Sequence, residues 1–204
     1  KPMTIQPTYH WQFNERKGTI ARDAIAGVEG RLHRSIVWHR HGRIGPAMRL
    51  PSRESRLVFG PEVGQFGTSD FTVAFGIKIM GTDSQNDLDI IGTRSMSGHG
   101  NWFSLRLEDK GRRLTYEVDE NSKGKNYAFA KTPRLPNLFD KKWHHITLVR
   151  AGRTIEVYLD GVLVAEGAAK TGVANIKRAV DVKLGHYTRH TPIAHYEDLR
   201  IYHT

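Results

Sequence analysis

The chain has 204 residues, 38% of them hydrophobic, with 20 glycines, 8 prolines, no cysteine and a formal charge of +10. That length suits one domain, the missing cysteines exclude disulfides, thiolate catalysis and cysteine-ligated zinc, and no apolar run approaches the ~20 residues of a membrane-spanning helix. A positive surplus of this size points to anionic partners (nucleic acid, lipid or polysaccharide) against the plainer reading of a solubilising surface.

In chain order, strands are expected near residues 9–13 and 56–59. The clearest pattern is DFTVAFGIKI at 70–79. There Phe71, Val73, Phe75, Ile77 and Ile79 share one face while Thr72, Ala74, Gly76 and Lys78 share the other. A period of two, not 3.6, is the mark of a half-buried strand. Further strands are expected at 88–92, at 101–108 burying Phe103, Leu105 and Leu107, and at 112–118 burying Leu114, Tyr116 and Val118 after a DKG turn. Others follow at 127–130 and at 154–160, burying Ile155, Val157 and Leu159. Asp160-Gly161 then supplies the positive φ angles of a tight hairpin before 162–165. The last strands fall near 182–185 and 197–202, and VANIKRAV at 173–180 gives at most one or two helical turns. Strands at regular spacing, with no Pro- or Ser-rich linker, predict a single all-β domain over 1–204, built as a two-sheet antiparallel β-sandwich.

The Trp143-His144-His145 run invites a metal reading, which strand geometry opposes. Neighbouring side chains on a strand point to opposite faces. His144 shares parity with the core residues Ile146 and Leu148, and His145 with Thr147. Two diverging imidazoles cannot converge on one zinc at ~2.0–2.1 Å. His144 is therefore expected as a satisfied, partly buried side chain.

The stretch FDKKWHHITLVRAGRTIEVYLDGVLVAEG at 139–167 resembles the central hairpin of the laminin G-like, concanavalin A-like jelly-roll superfamily. Four further segments are similar to its other elements in the right order: YHWQFNERKGTIARDAIAG at 9–27, GRIGPAMRL at 42–50, SDFTVAFGIKI at 69–79 and YEDLRIY at 196–202. The resemblance implies a jelly-roll β-sandwich over nearly the whole chain. Two departures stand out: Gly76 occupies a position where the family often carries tryptophan, leaving room on the sheet, and the disulfide that many animal members close near the C-terminus is missing.

Relatives of this kind place a calcium-dependent ligand site on loops at one rim of the sandwich. Here those loops would be 93–101, 119–126 and 185–195. Calcium wants six to eight oxygen ligands with carboxylates among them. The first and third loops hold no Asp or Glu; they carry Arg94, His99, Asn101, His186, Tyr187, Arg189 and His190, while Lys123 and Lys125 lie on the second. The rim calcium site is therefore expected to be lost, and these residues become candidates for direct contact with an anionic ligand. Some bacterial relatives tie their first and last segments together with a structural calcium, which would fall here near Asp23 and Asp198, with backbone oxygens completing the set.

Of the enzymatic readings, a retaining glycosidase of this fold needs a Glu-x-Asp-x-x-Glu strand. The nearest string, NDLDIIG, has Asp87 and Asp89 but no glutamate. A polysaccharide lyase needs a Tyr or His base and an Arg that neutralises a uronate carboxylate; His186, Tyr187, Arg189 and His190 supply those types, so a jelly-roll lyase stays open. No RRM, OB or helix-turn-helix pattern supports nucleic acid. The expectation is a non-catalytic carbohydrate-binding module for an acidic or sulfated polysaccharide or glycan, secreted or extracellular, as one part of a larger enzyme or adhesin. An adhesion-type domain with a protein partner is the further alternative.

Overall fold

The strict alternation of FTVAFGIKIMG commits Phe71–Gly81 (β7) to the middle of a sheet, with β12 (Trp143–Ala151) and β16 (Ile193–His203) on its two sides. The computed structural model describes residues 5–178, 180–185 and 187–204. Within these, the first sheet runs β14 (Val162–Ala168), β13 (Thr154–Leu159), β12, β7, β16, β5 (Ala47–Leu50) and β4 (Val37–His39), and β1 (Tyr9–Trp11) also pairs with β16. The second sheet runs β11 (Ala128–Lys131), β10 (Arg113–Asp119), β9 (Trp102–Glu108), β8 (Leu88–Gly92), β15 (Lys183–Gly185), β6 (Arg56–Val58), β3 (Glu29–His33) and β2 (Ile20–Arg22). All the ladders are antiparallel, as the jelly-roll expectation requires. Among the described residues the single helical element is a 3₁₀ turn at Pro61–Gly64. Residues 173–178 form no helical turn; Ile176 bridges Gly67 instead.

The inner faces carry the alternating residues the sequence marks out. Val73, Phe75, Ile146 and Leu148 of the first sheet, and Phe103, Leu105, Leu114 and Tyr116 of the second, are all closed to solvent. Strands β2 to β5 carry no comparable alternation; EGRLH, for example, sits at the sheet's margin and takes its pairing from β6. In β16 the ladder slips by one residue between Glu197 and Arg200, and Asp198 takes φ 50° at that bulge. The slip keeps Tyr196 inside on one side and Leu199 and Ile201 inside on the other. The space at Gly76 is filled by Glu197: a Cβ there would lie 2.6 Å from the Glu197 Cγ. The Glu197 Oε2 in turn accepts the Arg43 amide at 2.7 Å and the Ile44 amide at 3.3 Å, fastening the 42–45 loop to the sheet.

The β13–β14 turn has φ 52° at Asp160 and φ 81° at Gly161, the type I′ pattern that matches strand twist. Asp160 also explains the histidine pair. Its Oδ2 lies 2.8 Å from His144 Nδ1, while Asp140 Oδ2 lies 3.0 Å from Nε2. His145 sits on the other face, opposite Gly76. Burial works against a charge on His144, but the two carboxylates outweigh it and hold its pKa above the ordinary histidine value.

Arg150 continues the inward parity of Ile146 and Leu148, yet it is a cation and only 2% exposed. Backbone carbonyls replace its water. Nε donates to Ser69 O at 3.1 Å, Nη1 to Ala174 O at 2.7 Å, and Nη2 to Gly67 O at 2.8 Å and Ser69 O at 2.5 Å, with the guanidinium 4.9 Å from the Phe71 ring centroid. One side chain thereby pins two loops that have no strand pairing of their own beyond the Gly67–Ile176 bridge.

Replacing Arg150 by Met keeps the bulk but orphans the Ser69 and Ala174 carbonyls, and is expected to lower stability by about 3–5 kcal/mol in urea unfolding. For His144 the sign follows from its raised pKa: the stabilisation is complete below the unfolded-state value near ~6.5 and fades as pH rises through the folded value. The Tm advantage of the wild type over His144→Gln should therefore shrink on going from acid to alkaline buffer; a constant gap would refute the assignment.

Candidate functional site

On the outer face of the second sheet, alternation delivers polar residues: Asp89 on β8, Ser104 and Arg106 on β9, Thr115, Glu117 and Asp119 on β10. All six are buried. They are covered because the rim loops fold back over the sheet, and each buried polar group needs a partner.

Asp89 meets that demand for the 185–195 loop. Its Oδ2 accepts the amides of Tyr187 at 2.9 Å and Thr188 at 2.7 Å, and that of Arg189 as well. Its Oδ1 lies 3.3 Å from Arg106 Nε, and Arg106 Nη2 reaches the Thr188 hydroxyl. Three successive amides on one carboxylate oxygen form a nest, and the ion pair beneath it is closed to water. Tyr187 turns its hydroxyl inward to donate to Leu105 O at 2.9 Å, and burial pushes its pKa well up. Arg189 faces solvent, and His190 Nδ1 lies 2.6 Å from the Ser84 hydroxyl. His186 lies outside the described residues.

The first two loops meet over β9 and β10. Arg94 is buried: Nη1 pairs with Glu117 at 2.8 Å, Nε and Nη2 donate to Met96 O and Ser97 O, and the guanidinium stacks 4.1 Å from the Trp102 ring. Glu117 also accepts the Tyr127 hydroxyl at 2.5 Å. Asn101 donates to Glu120 O and Asn175 O and accepts the Arg178 amide. His99 sits 2.7 Å from Asp119 and packs edge-on against Tyr127. Arg94 and Asn101 shape the rim from within, while His99 stays exposed. Lys123 and Lys125 lie exposed at the tip of the 119–126 turn.

An open cleft of about 380 Å³ lies beside the third loop, lined by His33, Arg34, Glu54, Arg56 and His190. Parity explains it: His33 of β3 pairs directly with Arg56 of β6, and both sit on the face opposite the core residue Leu57. Arg34, at φ 67°, carries its guanidinium to within 3.6 Å of Glu54, the cleft's single carboxylate. Buried Arg56 Nε has no hydrogen-bond partner among the described residues. The sequence marks His190 for the rim but not His33, Arg34 or Arg56, which come to it from strands far away in the chain.

Asp23 and Asp198 are joined through His10. The His10 amide donates to Asp23 Oδ1 at 2.5 Å, and its Nε2 lies 2.6 Å from Asp198 Oδ1. Asp23 further accepts the Ile25 and Ala26 amides, and Asp198 accepts Arg200 Nε. Among the described residues no three acidic or histidine side chains converge on a cation site. Surrounded by N–H donors, this pair does not fit a calcium ion held between the two carboxylates.

Comparison with known proteins follows the fold. The sequence profile of the Concanavalin A-like lectin/glucanases superfamily matches residues 53–203. No curated protein matches the chain in sequence. Among solved structures, it is similar to the binding domain of Paraclostridial Mosquitocidal Protein 1 (17% identity, TM-score 0.73), covering 97% of this chain and 48% of that one. It is also similar to domain 4 of AbnA, a GH43 extracellular arabinanase from Geobacillus stearothermophilus in complex with arabinotriose (16% identity, TM-score 0.72), covering 97% and 92%. A third is the binding domain of Botulinum neurotoxin DC in complex with SialylT (13% identity, TM-score 0.69), covering 97% and 47%. The chain thus spans about half the length of the toxin domains and nearly all of the arabinanase domain.

If Asp89 holds the rim loop, Asp89→Asn should cost about 2–3 kcal/mol, because an amide replaces the charged acceptor of three buried N–H groups. Hydrogen exchange would speed up first at the Tyr187, Thr188 and Arg189 amides. Unchanged protection of those three would remove Asp89 from this role.

Proposed function

The chain belongs to the concanavalin A-like lectin/glucanases superfamily, and from that membership we propose that it is a non-catalytic module binding an acidic or sulfated polysaccharide. The observation that carries the reading is the cleft of His33, Arg34, Arg56 and His190, where one carboxylate faces two guanidinium groups. Guanidinium forks match the planar carboxylate of a uronate and the oxygens of a sulfate ester, and the free Arg56 Nε supplies a donor already stripped of water. Exposed Arg189, next to His190 on the third loop, adds positive potential beside the cleft. The net charge of +10 draws a polyanion in over longer range, and salt screens that attraction. This reading sets the module outside the cell, where such polymers lie, as part of a larger protein.

The chemistry of one rim residue supports the non-catalytic reading. A lyase base must accept a proton from the sugar ring, but the Tyr187 hydroxyl is committed to Leu105 O.

Heparin or polygalacturonate should bind more tightly than neutral arabinan in affinity electrophoresis, with the difference falling as salt rises. Arg34→Gln combined with Arg56→Gln should weaken polyanion binding by at least about tenfold while Tm stays near wild type. Equal binding of neutral and anionic polymers, or full affinity in the double variant, defeats the proposal. Incubation with polygalacturonate is expected to give no rise in ultraviolet absorbance from unsaturated uronates.

A further inference from the structure

The opposite face of the sandwich holds a second concentration of positive charge. Across the outer side of the first sheet, one straight cross-strand row reads Val37, Arg49, His195, Lys78, Trp143, on β4, β5, β16, β7 and β12 in turn. Three consecutive members are basic. The row's two permanent cations, Arg49 and Lys78, stand on either side of His195. His39, one step along β4, brings its Nε2 to 3.3 Å from that of His195, with the rings 4.6 Å apart. Lys78 Nζ stands 5.4 Å from the Trp143 ring centroid, and the Trp143 and His195 rings are 6.2 Å apart.

Nothing anionic answers this charge among the described residues. Arg49 and Lys78 form no ion pair there. The nearest acid on the same face, Glu197 in the next row, already accepts the Arg43 and Ile44 amides. That row also carries His39 on β4 and His145 on β12, and an imidazole supplies no negative charge. Two buried atoms also lack partners: Arg49 Nε, and Nδ1 of His195, a side chain 6% exposed. An unanswered cation cluster with orphaned buried nitrogens is the inverse image of an oxyanion.

We propose that His39, Arg49, Lys78 and His195, flanked by the Trp143 ring, form an oxyanion-binding site for a sulfate or carboxylate group, distinct from the cleft on the second sheet. The site takes up a proton with its ligand. Burial, then His39, Lys78 and Arg49, push the His195 pKa down to about 4, and burial with Arg49 and Lys78 lowers that of His39. Both rings are thus neutral near pH 7 in the free protein, and one Nε2–H can bridge to the other ring. A bound oxyanion cancels the repulsion of Lys78 and Arg49, so one imidazole regains its proton. Combined with the cleft, this makes the module bivalent for a polyanion; that last step alone rests on the polysaccharide reading.

The test follows the imidazole resonances of His39 and His195 by NMR across acid to neutral pH, with sodium sulfate against chloride at matched ionic strength. Sulfate should raise the His195 pKa, and its affinity should rise about tenfold for each pH unit below the bound-state value. Lys78→Gln should lift the His195 pKa without sulfate and weaken sulfate binding at least fivefold, roughly the loss of one charged contact. In Arg34→Gln/Arg56→Gln the response should persist, which separates this site from the cleft. A sulfated oligosaccharide that moves the same resonances, where its desulfated form does not, identifies the polymer as the source; sulfate acting while both oligosaccharides fail limits the site to free anions and removes the bivalent step. Histidine titrations identical in sulfate and chloride would overturn the proposal.

Discussion

A carboxylate without water must be given its donors by the protein, and Asp89 receives them from the loop the proposed cleft depends on. Three amides and Arg106 converge on it beneath the 185–195 loop. Because the demand is local and buried, the loop is held at residues 187–189 while the Arg189 side chain is left facing solvent. Arg150 is the counterpart at the far end of the sandwich, a buried cation hydrated by carbonyls of 67, 69 and 174. The sheets supply the walls, and these two ions fasten loops that strand pairing does not reach.

The same logic explains why the candidate site was only partly legible. Inner-face alternation in 70–79, 101–108 and 112–118 can be read from one dimension, because apolar burial alone dictates it. Short marginal strands such as 29–33 and 47–50 carry no such signal, since their pairing comes from distant neighbours. Loop residues are harder still. Arg94 and Asn101 look like free rim donors in the sequence, yet the buried Glu117 and the carbonyls of Glu120 and Asn175 claim them. Arg56 was within reach: once Leu57 is assigned to the core, parity sends Arg56 outward. Its partner His33 could not be found without the β3–β6 register.

The bulged β16 links the two faces of this account. Its upper half lays His195 among Arg49 and Lys78, while Glu197 crosses above Gly76 to fasten the 42–45 loop. The missing large side chain at Gly76 is therefore a seat for a carboxylate that serves backbone amides. That engagement leaves the neighbouring basic row without an acid. Charge on this protein is sorted: several carboxylates face inward to amides and arginines, and cations face outward on both sheets. A long polyanion bridging two weak sites gains avidity only if it can span the sandwich edge.

The β13–β14 turn carries a consequence of another kind. Aspartyl-glycyl pairs are where proteins age chemically, because an unhindered glycine nitrogen can attack the aspartyl carboxyl and close a succinimide ring. The attack requires the carboxyl in its protonated form and free to rotate towards that nitrogen. At Asp160 neither holds: His144 and the His145 amide grip its two oxygens, and although burial alone would raise its pKa, those same donors bring it below the usual carboxylate range. The clasp that closes the hairpin also slows the clock on its most perishable bond.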